Sequence, residues 1–293
     1  MTHPHWYLGI GAQKAGTSWL SHNLRQHPGI WNLPVKEFHF FDEPAVPVAF
    51  RGMRPKIANP RWLKLVVREM PLTIFDPRRW PNARWLLRFA TAPRTDQTYR
   101  ALMAGPPARI GGDVTPAYAR LEVADVARIR RVVPDVRVIY LLRDPIARAW
   151  SQASMYFRKH GTPDIMSVPR EVLLQFFRRD SVRRNGDYLR TLDIWERHFA
   201  PDQIHVDFLE RIVQNPGHVL EDVLRFIGVT GDARVPAVDL AQPRNAGHTP
   251  PLPPDIARVL AEQFHESVRM CHRRFNNAFT AAWVDRCERA RRT

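Results

Sequence analysis

The chain has 293 residues, 44% of them hydrophobic, and a formal net charge of +15. This length suits one large α/β domain or two smaller ones, and the apolar fraction is ordinary for a globular protein. The charge favours an anionic ligand, a nucleic acid or a membrane surface. No stretch approaches the roughly 18 apolar residues of a membrane span. The two cysteines, Cys271 and Cys287, form neither a disulfide framework nor a metal-ligand cluster.

The apolar patterns predict strands that alternate with helices along the chain. Residues 6–10 have the pattern of a short buried strand, the loop 11–16 follows, and a helix covers about 17–27. Further strands are predicted at 109–114, 136–142 and 203–208, and further helices at 121–132, from 145, 168–178, 186–199, 210–227 and 255–275. Pro216 is a candidate interruption of the helix over 210–227. Such alternation predicts a central parallel sheet flanked by helices, whose ligands bind at the carboxyl ends of the strands.

The segments between these elements are less regular. Residues 34–41 are predicted to be extended, with Glu37 and His39 on the same side. Residues 44–107 are rich in Pro, Arg and Trp, and we interpret them as an insertion of short helices and loops that shapes the acceptor cleft. Its Trp62, Trp80 and Trp85 either stack on a ring of the acceptor or anchor the insertion to the core. The whole chain, 1–293, is predicted to form a single domain with a helical C-terminal region from about residue 255.

The first loop has the features of a phosphate- or sulfate-binding loop. A loop that turns into a helix presents free backbone N–H groups and the positive end of the helix dipole. Gly11 and Gly16 permit close approach of the backbone, and Lys14 can reach the bridging oxygen of an anhydride. Gly11 and Gly16 have the spacing of the nucleotide triphosphatase loop, but Thr17 stands where that loop has its lysine.

Several blocks, taken together and in order, resemble the sulfotransferases that use 3′-phosphoadenosine 5′-phosphosulfate (PAPS). The blocks are 13–20 (QKAGTSWL), 36–42 (KEFHFFD), 113–118 (DVTPAY), 138–145 (VIYLLRDP) with 148–151 (RAWS), and 186–188 (GDY). Residues 36–42 and 113–118 are similar to the heparan-sulfate-type branch of that family. The resemblance runs from residue 6 to about 230 and implies a three-layer, P-loop-like α/β fold.

The resemblance also implies a donor site. It assigns the 5′-phosphosulfate of PAPS to a loop formed by Gln13, Lys14, Ala15, Gly16, Thr17, Ser18 and Trp19. Arg143 and Ser151 are the candidates for the 3′-phosphate, because arginine offers a bidentate fork and serine a further donor. A C-terminal loop with Arg244 is expected to close over the nucleotide, and the product is 3′-phosphoadenosine 5′-phosphate (PAP).

The catalytic residues follow from the same blocks. By analogy with phosphoryl transfer, catalysis rests on positioning and electrostatic stabilisation. Lys14 is the candidate that stabilises charge on the departing phosphate, and the resemblance implies that Glu37 is the base. His39 is either an orienting partner, a contact of the sulfuryl group or the base itself, and Asp42 is a candidate partner. No metal is expected.

The acceptor is the least constrained part of this interpretation. The branch resemblance favours a hydroxyl, or less readily an amine, of a carbohydrate, glycolipid or small metabolite. Val114 stands where glycosaminoglycan-specific members often have a lysine, which weakens the case for a heparan-like acceptor. A P-loop kinase or NTPase and a basic nucleic-acid-binding protein remain the alternatives, although no nucleic-acid partner is expected. The chain shows no targeting or transmembrane segment, so we predict a cytoplasmic protein.

Overall fold

The computed structural model describes residues 6–42, 85–86, 88–89, 92–93, 95–104, 110–229 and 249–292. The strands in this part are β1 (Trp6–Gly11), β2 (Ile30–Asn32), β3 (Ile110–Val114), β4 (Arg137–Leu142) and β5 (Ile204–Phe208). They form one parallel sheet in the order β2-β3-β1-β4-β5. Residues Val138–Leu142 of β4 are all buried, as expected of a central parallel strand covered on both faces.

Helices cover both faces of this sheet. Within the described ranges they are α1 (Thr17–Leu24), α2 (Asp96–Met103), α3 (Val123–Val132), α4 (Pro145–Lys159), α5 (Arg170–Phe177), α6 (Asp180–Arg184), α7 (Tyr188–Glu196), α8 (Leu209–Gln214), α9 (Pro216–Phe226), α10 (Pro254–Phe275) and α11 (Ala278–Arg292). A short 3-10 helix, Pro116–Arg120, follows β3. The predicted central parallel sheet with flanking helices is therefore confirmed.

Local sequence explains where the site-bearing helices begin. Asp144 caps α4, since its side chain accepts a hydrogen bond from the backbone N–H of Ile146, and Pro145 occupies the first turn. The predicted helix over 210–227 is divided into α8 and α9, because Pro216 lacks the N–H that a continuous helix needs and begins the second helix instead.

The C-terminal helices pack on the main body. Helix α10 contacts α4 and α7, and it forms a hairpin with α11. Phe264 of α10 and Trp283 of α11 are fully buried. The sequence did not predict α11 or β2. The insertion over 44–107 lies largely outside the described residues, and the single-domain organisation stays a prediction.

Candidate active site

The candidate site lies at the carboxyl edge of the sheet, where such folds bind ligands. Three segments meet there: the loop between β1 and α1, the turn between β4 and α4, and residues 34–42 after β2. Each follows a strand of the same parallel sheet, so the fold places their side chains at one edge.

Backbone conformation shapes the loop after β1. Gly16 has φ of 99°, and a Cβ at this position would lie 3.1 Å from Ile212 Cδ1, so glycine is required for both reasons. Lys14 also has a positive φ, 72°, which is uncommon for a residue with a side chain. No side chain of the described residues caps α1, so its first backbone N–H groups are left for a ligand or water to satisfy.

Lys14 lies in a strongly positive environment. Burial, together with the nearby charges of Arg143, Arg158, Lys159 and Lys36, lowers the pKa of its ammonium to about 8. Three of the five lysines of this arginine-rich chain, Lys14, Lys36 and Lys159, thus meet around one point. Such a concentration of positive charge around a largely buried ammonium favours the binding of an anion.

Arg143 connects the turn after β4 to this loop. Its Nη1 donates a hydrogen bond to the backbone oxygen of Lys14 at 3.1 Å, and its own backbone oxygen accepts one from the hydroxyl of Tyr188 at 2.5 Å. Ser151 lies two turns into α4 and is 5% exposed, and its side-chain hydroxyl forms no hydrogen bond within the described part of the chain. The structure therefore brings Arg143 to the loop and leaves the Ser151 hydroxyl available.

The other predicted loop residues have different surroundings. Gln13 accepts a long hydrogen bond, 3.4 Å, from the side chain of Asn185. Ala15, Thr17 and Trp19 are buried, so they offer backbone groups to a ligand rather than large exposed side chains. Ser18 accepts a hydrogen bond from Lys36 Nζ at 2.7 Å, which ties the loop to the segment after β2.

The segment after β2 is not the predicted strand. Residues 34–42 have irregular backbone, and His39 has φ of 52°. The extended prediction is wrong because Phe38, Phe40 and Phe41 all turn into the core, which strict alternation forbids. Their rings pack around Tyr99 at centroid distances of 5.5, 4.8 and 4.6 Å.

This irregular loop brings three polar side chains together. His39 Nε2 lies 3.3 Å from Glu37 Oε2, and His39 Nδ1 lies 2.7 Å from Asp42 Oδ2. Glu37 keeps 41% of its side chain exposed, whereas Asp42 keeps 14%. Glu37 is therefore the member of the trio that faces solvent and an incoming acceptor.

The charges of the trio follow from these contacts. Burial lowers the pKa of His39, but the hydrogen bonds to Asp42 and Glu37 outweigh burial and raise that pKa to about 10. Burial raises the pKa of Glu37, but the hydrogen bond from His39 and the charge of Lys36 hold it below its ordinary value. At neutral pH His39 is thus a cation without a free lone pair, and Glu37 is an ionised proton acceptor.

A buried carboxylate that sequence reasoning did not assign holds this loop in place. Asp113, at the end of β3, accepts hydrogen bonds from Thr115 Oγ1 at 2.6 Å and from the Tyr118 hydroxyl at 2.8 Å. Thr115 Oγ1 accepts from the N–H of Phe38 at 2.8 Å, and the Tyr118 hydroxyl accepts from that of Phe40 at 3.0 Å. These bonds fix the backbone on both sides of His39. The available sequence signal was an aspartate within the last residues of a buried strand, followed closely by a threonine and a tyrosine.

Several predicted features fall outside the site or outside the described residues. Arg244, Trp62 and Trp80 are not among the residues that the structure describes. Trp85 is 7% exposed and donates to the backbone oxygen of Leu102 at 2.7 Å, so it anchors its segment to the core. In the described ranges no cluster of three or more His, Cys, Asp or Glu residues is placed to bind a metal ion. None of the helices described is both long and apolar enough to span a membrane.

The fold and the site together define a class of protein. A P-loop-like α/β sheet carries a cation-lined loop at its carboxyl edge, and Lys36 links that loop to the carboxylate of Glu37. This is the arrangement of a group-transfer site in which an anionic donor and a proton-bearing acceptor meet.

Comparison with known proteins assigns the family. The profile of the Sulfotransferase family matches residues 8–233, and the chain belongs to that family. Two mouse proteins, heparan sulfate glucosamine 3-O-sulfotransferases 3B1 and 3A1, are each 32% identical over 143 residues, which is 45% of this chain and 34% of each relative. The match therefore spans about a third of the relatives' length.

A solved structure supports the fold over nearly the whole chain. The crystal structure of a sulfotransferase from Alicyclobacillus acidocaldarius superposes with a TM-score of 0.62 at 22% identity, covering 97% of this chain and 99% of that one. At this identity the likeness concerns the fold. It includes the C-terminal helices, which lie beyond the family match.

Proposed function

We propose that the protein transfers a sulfuryl group from PAPS to a hydroxyl group of a carbohydrate or related acceptor. One observation carries this proposal: Lys36 joins the two halves of the site. Its Nζ lies 2.7 Å from Ser18 Oγ in the loop after β1 and 3.7 Å from Glu37 Oε1 in the trio of Glu37, His39 and Asp42. A single side chain, that of Lys36, therefore contacts both the donor-binding loop and the proton-accepting carboxylate.

The residues around the loop fit the anionic parts of PAPS. The N–H groups at the start of α1 and the ammonium of Lys14 would hold the 5′-phosphosulfate. Arg143 and the unpaired hydroxyl of Ser151 would hold the 3′-phosphate. PAPS supplies the activated sulfuryl group, and Lys14 neutralises the charge that its phosphate leaving group gains.

The residues of the trio have different roles toward the acceptor. Glu37 takes the proton from the acceptor hydroxyl as the bond to sulfur forms. His39, as a cation, donates one hydrogen bond to Glu37 and another to Asp42, and so orients the Glu37 carboxylate. Of the alternatives that the sequence left open, this geometry favours Glu37 as the base and His39 as its positioning partner.

The acceptor class is inferred from the relatives. The two mouse enzymes are named for a hydroxyl of a glucosamine unit, which supports a sugar hydroxyl as the target here. Val114, the buried last residue of β3, cannot contribute the charge that a lysine brings to an acidic sugar. We therefore propose a carbohydrate-type acceptor other than heparan sulfate. Location in the cytoplasm stays a prediction.

The donor assignment predicts a selective response to nucleotides. PAP in EDTA will raise the melting temperature of the protein by mass action, and ATP at equal concentration will raise it much less. Arg143→Ala will weaken PAP binding roughly 10-fold to 150-fold, the range expected for one lost charge-assisted hydrogen bond. Arg197→Ala is the matched control, because Arg197 is 58% exposed and pairs only with Asp193 within the described residues. Stabilisation by ATP that requires Mg²⁺, without any response to PAP, would instead establish a kinase-like protein.

The lowered pKa of Lys14 predicts how PAP binding depends on pH. Below about pH 8 Lys14 is protonated in the free protein and binding is constant; above that pKa binding must first restore the proton. The affinity will therefore fall by up to about tenfold per pH unit above pH 8. Lys14→Arg will remove this fall, because the guanidinium stays charged. Isothermal titration calorimetry from about pH 6.5 to about pH 9.5 measures PAP affinity for the wild type and for Lys14→Arg. Identical pH profiles for these two proteins would contradict the prediction.

A further inference from the structure

The last helix reaches the turn that carries Arg143. Trp283 of α11 is fully buried, and its Nε1 donates to Glu210 Oε1 at 2.7 Å. The same carboxylate oxygen accepts from the backbone N–H of Asp144 at 3.3 Å. One turn further along α11, Arg286 Nε donates to Asp144 Oδ2 at 2.8 Å. Helix α11 thus contacts Asp144, the residue next to Arg143, once directly through Arg286 and once through Glu210.

Arg286 compensates the negative charge of Asp144 in this turn. The Asp144 side chain is only 4% exposed, and its other oxygen is used to cap α4. Within the described residues Arg286 is the sole cation that forms an ion pair with it. Asp144, Arg143 and Arg286 line one cavity of about 350 Å³, together with side chains from α8. Without Arg286, an uncompensated carboxylate would stand beside the arginine that is to bind a phosphate.

We propose that Arg286 is a positioning residue of the donor site. It fixes the β4–α4 turn and offsets the charge of Asp144, so that less negative charge competes with the 3′-phosphate for Arg143. This inference rests on the proposed function. Helix α11 begins at Ala278, well beyond residue 233, where the family match ends. The role of Arg286 therefore does not follow from the family assignment.

A merely structural role makes a different prediction. If Arg286 only attached α11 to the body, its loss would lower stability without affecting the two nucleotides differently. If it balances Asp144, its loss will weaken PAP, which carries the 3′-phosphate, more than ADP, which lacks it. Removing the charge of Asp144 as well will then restore PAP binding. Asparagine is suited to this purpose, because it caps helices as well as aspartate does.

The experiment compares PAP and ADP dissociation constants by calorimetry in four variants and the wild type. We expect Arg286→Gln to weaken PAP binding roughly 10-fold to 30-fold, since much of the cost of breaking such a pair is the charge left unpaired. ADP binding will change less than about threefold. Arg286→Lys, and Asp144→Asn combined with Arg286→Gln, will bind PAP within about threefold of wild type.

The matched control is Arg291→Gln on the same helix. Arg291 pairs with Glu262 of α10, away from the β4–α4 turn, and its loss will leave PAP binding unchanged. Equal PAP affinities in the Arg286 and Arg291 variants, or a double variant that binds no better than Arg286→Gln, would overturn the inference. If Arg286→Gln does not fold, the double variant decides: PAP binding within about threefold of wild type supports the inference, and weaker binding overturns it. A wild-type protein that binds no PAP would overturn the proposed function itself.

Discussion

Glu37→Gln will lower turnover by at least about 10²-fold, the low end of what a general base contributes. The amide keeps the shape of the carboxylate but cannot accept the acceptor's proton. PAP affinity will stay nearly unchanged, since Glu37 contacts the donor loop only through Lys36. Initial rates with labelled PAPS and an acceptor found by screening measure the first quantity, and calorimetry measures the second.

His39→Gln distinguishes the base from its positioning partner. Without the hydrogen bond from His39, the pKa of Glu37 will rise, so the acid limb of the rate profile will move to higher pH. Glu266→Gln serves as the control, because its side chain is 68% exposed and pairs with Arg273 on the surface of α10. Near-normal turnover in Glu37→Gln, together with complete loss of turnover in His39→Gln, would assign the role of general base to His39.

Lys14→Ala will lower the rate of sulfuryl transfer by about 10²–10³-fold, the scale of removing one preorganised charge stabiliser. The effect is expected to be large because Lys14 is largely buried at the anion loop, where other cations surround it and water screens little. Single-turnover measurements at saturating PAPS separate this loss from weaker binding.

Two further variants sharpen the result for Lys14. Lys14→Arg keeps the charge but not the compact ammonium, so it will retain donor binding better than it retains rate. Arg197→Ala, at the exposed end of α7, will leave the rate unchanged. A Lys14→Ala protein that keeps its single-turnover rate and loses only PAP affinity would show that Lys14 binds the donor without assisting the chemistry.

The sequence alone determined the parts of the fold that are encoded locally. The apolar run of β4 predicted a buried central strand, and the strand–loop–helix pattern around Gly11 and Gly16 predicted the anion loop. Arg143 followed from its place at the end of β4, since parallel strands end at one edge of the sheet. Spacing along the chain is sufficient for such features, because strand and helix periods are properties of a few consecutive residues.

Only the tertiary structure decided how the separate segments meet. Asp113 holds Phe38, which lies 75 residues earlier, and Arg286 pairs with Asp144, which lies 142 residues earlier. The loop around His39 is irregular because three neighbouring phenylalanines enter the core together, and burying their rings outweighs the local preference for an extended chain. The charge of His39 likewise depends on two carboxylates that this irregular path brings within reach. No local pattern encodes such contacts, since they exist only once the core has packed.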